Sequence, residues 1–325
     1  MRRTRRLPLL AALLLLTTAL IAASLMVGGY DITLDALVTD PAALEMFFIS
    51  RVPRTLALVF AGVAMAISGV LMQLITQNRF VEPSTAGSSQ WAGLGILVVT
   101  IAMPAAPEML KMLVSTGFAF VGTMLFILVL RRVRVTANSI VVPLVGIMLG
   151  AVVGAITTFL ANESGLLQTM AAWRSGGFSS IVRGFYEPLW IVVGVAILAV
   201  VLADRFTVAG LGRDLAVNAG LHYERLVLLG VTMVALCAGV TAVVVGFIPF
   251  LGLVVPNLVS MLLGDDLRRN LPWVAALGAA LLLACDLVGR VVVAPMEIPA
   301  SVILGAVGAV VFILFVLRQR RHVAA

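Results

Sequence analysis

The strongest constraint on this chain is its succession of apolar runs of helix length, with polar residues gathered into short clusters between them. In hydrocarbon no water is available to backbone N–H and C=O groups, so runs placed in lipid must pair these groups internally or around a closed barrel. Barrel strands would alternate apolar and polar residues over about ten positions, whereas these runs are continuous. Helices are therefore expected. With 62% of residues hydrophobic and 11% charged, the chain is far from a soluble globule, in which roughly a quarter are charged. It reads as all-α, a polytopic membrane protein of about ten transmembrane helices in one domain over residues 1–325.

Arg2, Arg3, Arg5 and Arg6 precede the first run, which reaches Gly29. A signal peptide cut near Ala23 would have a similar outline, but the run can cross about 30 Å of hydrocarbon and is read as the first span. Residues 30–50 hold Asp31, Asp35, Asp40 and Glu45 with no Lys or Arg, and are assigned outside. Further spans are expected over 52–76, 87–103, 113–130, 138–160, 189–203, 226–247, 251–263, 273–290 and 300–317, with 161–187 outside and both termini cytoplasmic. Of the 22 basic residues 16 then fall inside, and Arg51, Arg54, Lys111, Arg174, Arg183 and Arg290 fall outside. This is the bias of the positive-inside rule. It also explains the net charge of +7 without nucleic acid. Gly146, Gly150 and Gly154 form one small stripe suited to close helix packing.

The longest polar interruption of the second half is 204–225, DRFTVAGLGRDLAVNAGLHYER. Gly210 and Gly212 break a helix arriving from the N-terminal side, Arg213 to Asn218 can form a short amphipathic helix, and Gly220 sits where a C-terminal cap would fall. Arg205, Arg213, His222 and Arg225 place it on the cytoplasmic side. An ordinary connecting loop is the plain alternative.

Missing chemistry narrows the function. Lys111 is the only lysine and lies in an outer loop, so no G-x-x-x-x-G-K-[ST] phosphate loop exists and ATP hydrolysis by this chain is not expected. His222 and His322 lie near cytoplasmic surfaces without a Ser or Cys nucleophile in a motif, which leaves no histidine-dependent triad. Cys237 and Cys285 sit in apolar runs with no neighbouring His or Cys and read as packing residues. No catalytic residue, cofactor or metal ligand is expected. Away from span ends the only ionisable residue is Asp286, one helical turn before Arg290 and close enough to pair with it. A single such carboxylate is a thin ion relay, so energy for transport would come from a partner.

Four segments together resemble the FecCD family, the permeases of ATP-binding-cassette importers for iron–siderophore complexes, haem and vitamin B12. They are RVPRTLALVFAGVAMAISGVLMQLITQNRFVEPSTAGSSQWAGLG from Arg51, the G-L-G-R-D-L-A-V-N-A-G-L of the polar interruption, GFIPFLGLVVPNLVSMLLGDDLRRNLP from Gly246, and DLVGRVVVAPMEIPASVILGAVGAVVFILFVLRQRR from Asp286. The form NRFVEPSTAG is similar to the branch associated with catecholate-type siderophores such as petrobactin. Asn257 stands where the family usually has P-H, and Ser301 replaces the Gly of its E-L-P-x-G.

The resemblance implies a type II importer permease fold of ten helices and a second permease subunit, identical or related, across a central pathway. It further implies cytoplasmic ATPases and an extracytoplasmic siderophore-binding protein, with the chain in the cytoplasmic (inner) membrane and its lipid bilayer. Arg51, Arg54 and Arg290 match arginines that dock the binding protein, and would form an outward-facing basic set. In the coupling loop 204–225, the residues from Gly212 to Gly220 would insert into the ATPase, with Arg213 and Asp214 at the rim and Leu215, Val217 and Leu221 filling its pocket. The ligand would pass between two copies of the helix starting at Arg51 and of the helix from Asn138, with Ser68, Gln73 and Asn138 as polar candidates on that route. No residue need bind iron, since a chelator fills the metal's coordination sphere. Haem or vitamin B12 is the alternative cargo, and a stand-alone secondary transporter or channel or a membrane enzyme are the competing classes.

Overall fold

A computed structural model describes residues 6–28, 35–133, 139–294 and 296–323. Local sequence sets where its helices start. After α1 (Arg6–Met26) and the short α2 (Ala36–Thr39), Asp40 caps α3 (Pro41–Met46) by accepting a 2.9 Å hydrogen bond from the Ala42 N–H, and Pro41 supplies the fixed φ of a first turn. A π turn at Phe47–Arg51 then carries α3 into α4 (Val52–Thr76), so that one span runs over Pro41–Thr76. The acidic segment 30–50 is thus not wholly an outer loop. Its second half is the first turns of the central helix, begun by the Asp-Pro pair.

The chain continues through α5 (Ser88–Ala102), α6 (Glu108–Val133), α7 (Val141–Glu163) and α8 (Leu167–Arg174). A 3-10 turn at Glu187–Trp190 leads into α9 (Ile191–Val201), which bends by 67° into α10 (Ala203–Gly210). After α11 (Arg213–Asn218) come α12 (Tyr223–Val244), α13 (Leu251–Leu263), α14 (Leu267–Val291) and α15 (Ala300–Val323). Among the described residues six helices are long and apolar enough to span, the bent pair makes a seventh, and three shorter apolar helices, Ser88–Ala102, Leu251–Leu263 and Ala300–Leu314, fill out the ten expected segments. No described residue lies in a strand.

Helix α4 is the hub. Ala57, Leu58, Ala61, Ala64, Ala66, Leu71 and Met72 are all sealed from solvent, because α4 packs against α9, α10, α12, α13 and α14. Lipid offers no hydrophobic gain for helix association, so close backbone approach must supply it through dispersion. Small residues permit that approach. A Cβ on Gly62 would stand 2.6 Å from the Gly278 carbonyl oxygen, and one on Gly69 would strike the Gly252 carbonyl.

Helices α5 and α13 are short because both start inside the bundle. Gln77 ends α4 in the left-handed conformation at φ 50° and turns the chain back. The returning loop delivers Glu82, fully buried, to the start of α13, where its Oε1 accepts the Phe250 N–H at 2.8 Å and the Ser84 hydroxyl. A buried helix start has free N–H groups and the positive end of the peptide dipoles, and a carboxylate answers both. Asn257 donates to the Arg79 carbonyl at 2.8 Å, and Ser301 donates to the Ser175 carbonyl. Both residues that depart from the family pattern therefore tie separate segments together.

Candidate functional site

At the end of the bundle where α4 begins, Arg51, Arg54 and Arg290 do come together, but they do not form an open basic rim. Arg54 Nη2 donates to Asp286 Oδ1 at 2.8 Å and to Glu297 Oε2 at 2.9 Å, while Nη1 reaches Glu297 Oε1 at 3.1 Å. Arg290 pairs with the other oxygen of Asp286 and donates to the Ser24 and Val27 carbonyls at 3.1 and 2.8 Å. Arg51 is buried and donates to the Met26 carbonyl. Arg51 and Arg290 are only 6% exposed, because unpaired guanidinium groups near hydrocarbon are costly and these find carboxylates and helix-end carbonyls within reach. Two arginines and two carboxylates link α1, α4, α14 and the connection before α15. The side chain of Glu297, 30% exposed, is the open edge of that network.

At the opposite end, α10 crosses the foot of α4, with Phe206 fully buried. The helix anticipated from the sequence, Arg213–Asn218, is present as α11, entered through Gly212 at φ 124° and left through Gly220 at φ 79°. Only Ala216 of α11 is buried. Leu215 and Val217 are 57% and 49% exposed, and Leu211 beside them is also exposed. Arg213 and Arg131 both reach Glu224 at the start of α12, at 3.5 and 2.7 Å. This is a short, held helix that presents apolar side chains outward, at a place where a solitary chain gains nothing by doing so.

Two cavities open among the described residues. One, of about 410 Å³, lies between the foot of α4, α10, α13 and α14, and is lined by Gln73, Gln77, Arg79, Thr207 and Asp265 among others. The other, of about 770 Å³, lies between α7, α15 and the break between α12 and α13. The three route candidates fare differently. Ser68 is fully buried and donates to the Ala64 carbonyl of its own helix. Gln73 faces the smaller cavity and donates to the Gly252 carbonyl. Asn138 lies outside the described residues. Most of α4 is packed against its neighbours, and Val70, Gln73 and Leu74 are the α4 side chains that border a cavity. Of the stripe on α7, Gly146 and Gly150 admit the turn at Thr85 to Gly87, and a Cβ on Gly154 would meet only Arg174, at 3.9 Å.

Two residues escaped sequence reading. Glu82 sits in a polar turn that resembles any loop, and Arg174 was assigned to an outer loop. Residues 167–176 form a short helix and turn that pack on the bundle along one side. Met170 is buried, Gly176 packs on the Phe247 carbonyl, and Trp173 packs on Ala92, Ala235 and Ala242. The only hint was the apolar Trp173 beside paired glycines.

A bundle of membrane-length apolar helices, with shorter apolar helices among them, is the architecture of a polytopic membrane protein. Residues 14–318 match the FecCD transport family, and the chain belongs to that family. It is 48% identical over 298 residues to the petrobactin import system permease protein FatD of Bacillus anthracis, covering 92% of this chain and 87% of that one. It is 40% identical to the petrobactin import system permease protein YclN of Bacillus subtilis, covering 95% and 98%. The ferric-anguibactin transport system permease protein FatD of Vibrio anguillarum is also 40% identical, covering 92% and 95%. Among solved structures, a metal-chelate type ABC transporter in an inward-facing conformation shares the fold, with TM-score 0.80 and 24% identity over 96% of this chain and 99% of that one.

Proposed function

We propose that this chain is the membrane subunit of an ATP-driven importer that carries a ferric siderophore of the petrobactin or anguibactin kind across the cytoplasmic membrane. The observation that carries this reading is the likeness, over nearly the whole length of both chains, to import permeases for those two siderophores. The work of ATP hydrolysis falls to a separate cytoplasmic ATPase, and α11 is its attachment. Leu215, Val217 and Leu221 enter a pocket of the ATPase while Arg213 and Asp214 stay at its rim, flanked by the glycines Gly212 and Gly220. The held geometry of α11 and its outward apolar residues support this.

Both termini belong on the cytoplasmic side. Thr17 of α1 reaches Ala276 and Ser24 reaches Arg290, so α1 runs in the same direction as α14, and Arg6 starts at the end where Arg268 pairs with Asp204 of α10. The other end receives an extracytoplasmic binding protein. There Arg54 and Glu297 offer the docking contacts, while Arg51 and Arg290 hold the helix ends beneath them. The ligand route passes through the larger cavity, completed by a second permease subunit. In proteoliposomes holding the permease, its ATPase and its binding protein, ATP should drive uptake of the ferric siderophore; a fully assembled complex that moves none would overturn the reading.

A further inference from the structure

The larger cavity contains a charge that neither the packing of the bundle nor the coupling helix uses. Arg174 ends α8, is exposed, lines this cavity and forms no ion pair with any described residue. Its Nη2 lies 3.9 Å from the position a Cβ of Gly154 would take. Gly154 is nine residues before the end of α7 at Glu163, so the guanidinium sits about 13 Å inside that end. A charge at such depth is costly against lipid and persists where it meets water or an opposite charge.

The rest of the wall is chemically uniform. No other lining residue is ionisable. Phe80, Phe247, Phe250 and Phe312 contribute ring surface, and Phe80 meets Phe312 edge to face with centroids 5.8 Å apart. Ser84 and Gln90 add neutral polar groups. Glu82, two residues before the lining Ser84, is fully buried and committed to Phe250 and Ser84. One cation, several aromatic faces and neutral hydrogen-bonding groups form a surface complementary to an anion that carries aromatic rings.

Resting on the permease reading above, we propose that this cavity holds the cargo as an anion and that Arg174 selects for its charge. The favoured class is a catecholate complex of ferric iron over an electroneutral chelate. Each catecholate brings two negative charges, so three of them leave ferric iron triply anionic, whereas three hydroxamates neutralise it. The planar guanidinium donors match the anionic oxygens at the edge of such a complex.

The test is equilibrium binding of two radioiron probes, the ferric tris-catecholate and the ferric tris-hydroxamate complex, to the purified permease–ATPase assembly. Arg174→Gln should weaken tris-catecholate binding about tenfold at low salt, and Arg174→Lys by less than about threefold, with the Gln loss shrinking at high salt as screening takes over. The two variants should treat the tris-hydroxamate complex as the wild type does. The proposal falls if the wild type shows no saturable tris-catecholate binding, or if Arg174→Gln binds it as tightly as the wild type. It also falls if the loss coincides with dissociation of the permease subunits, which would make Arg174 an interface residue. Uptake by the wild-type complex separates the two levels: no ATP-driven uptake of any ferric chelate sinks the permease reading, whereas uptake with unaltered binding in Arg174→Gln removes charge selection alone.

Discussion

Asp286 is the residue on which the end of the bundle where α4 begins turns, since it faces Arg54 through one oxygen and Arg290 through the other. Asp286→Asn would leave Arg290 buried with only neutral oxygens around it. Breaking a buried pair on one side costs about 3–5 kcal/mol, so the variant should unfold well below the wild type in detergent, read as the midpoint of a thermal melt. Glu297→Gln should cost far less, because that side chain is partly exposed and Arg54 keeps Asp286. Equal melting of the two variants would refute this ranking. The Asp286–Arg290 pair was legible because the residues sit one turn apart on one helix. Arg54 was not, because its partners lie 232 and 243 positions along the chain, and only packing brings them within reach.

Among the elements, α11 and α4 make opposite demands on their side chains. Because α11 leaves Leu215 exposed, Leu215→Asp should spare folding and yet weaken ATPase association by about thirtyfold or more, the size of a strong interface anchor. Co-purification and a melting curve on the same sample check both halves, and full association would remove α11 from the interface. In α4 the demand is steric. Gly69→Val must push against the Gly252 backbone, which costs at least the roughly 1–3 kcal/mol typical of overpacking. Gly194→Ala on α9, where a Cβ meets nothing, should leave the melt unchanged or raise it slightly. Helix α11 was readable because its signals are local: glycines on either side of a short amphipathic run. The packing of α8 on the bundle was not, since LQTMAAWR has too little periodicity to distinguish a loop from a helix folded against the bundle.

For the whole molecule, the prediction concerns energy supply. Proteoliposomes containing this chain alone should take up no more ferric siderophore than empty vesicles, and the ATPase, binding protein and ATP together should restore uptake; transport by the chain alone would place it among secondary carriers. The sequence by itself determined that this protein crosses a membrane about ten times as helices, and where most of them begin and end. Those properties follow from hydropathy, caps and glycines, which act over a few residues. Tertiary structure alone decided which helix is the hub and which side chains line a cavity. Helices α4 and α7 are both apolar and glycine-bearing, so neither composition nor period distinguishes a helix packed on most sides from one with an exposed face. That choice is made by backbone contacts such as Gly62 on Gly278, whose partners are distant in the chain and invisible until the bundle is assembled.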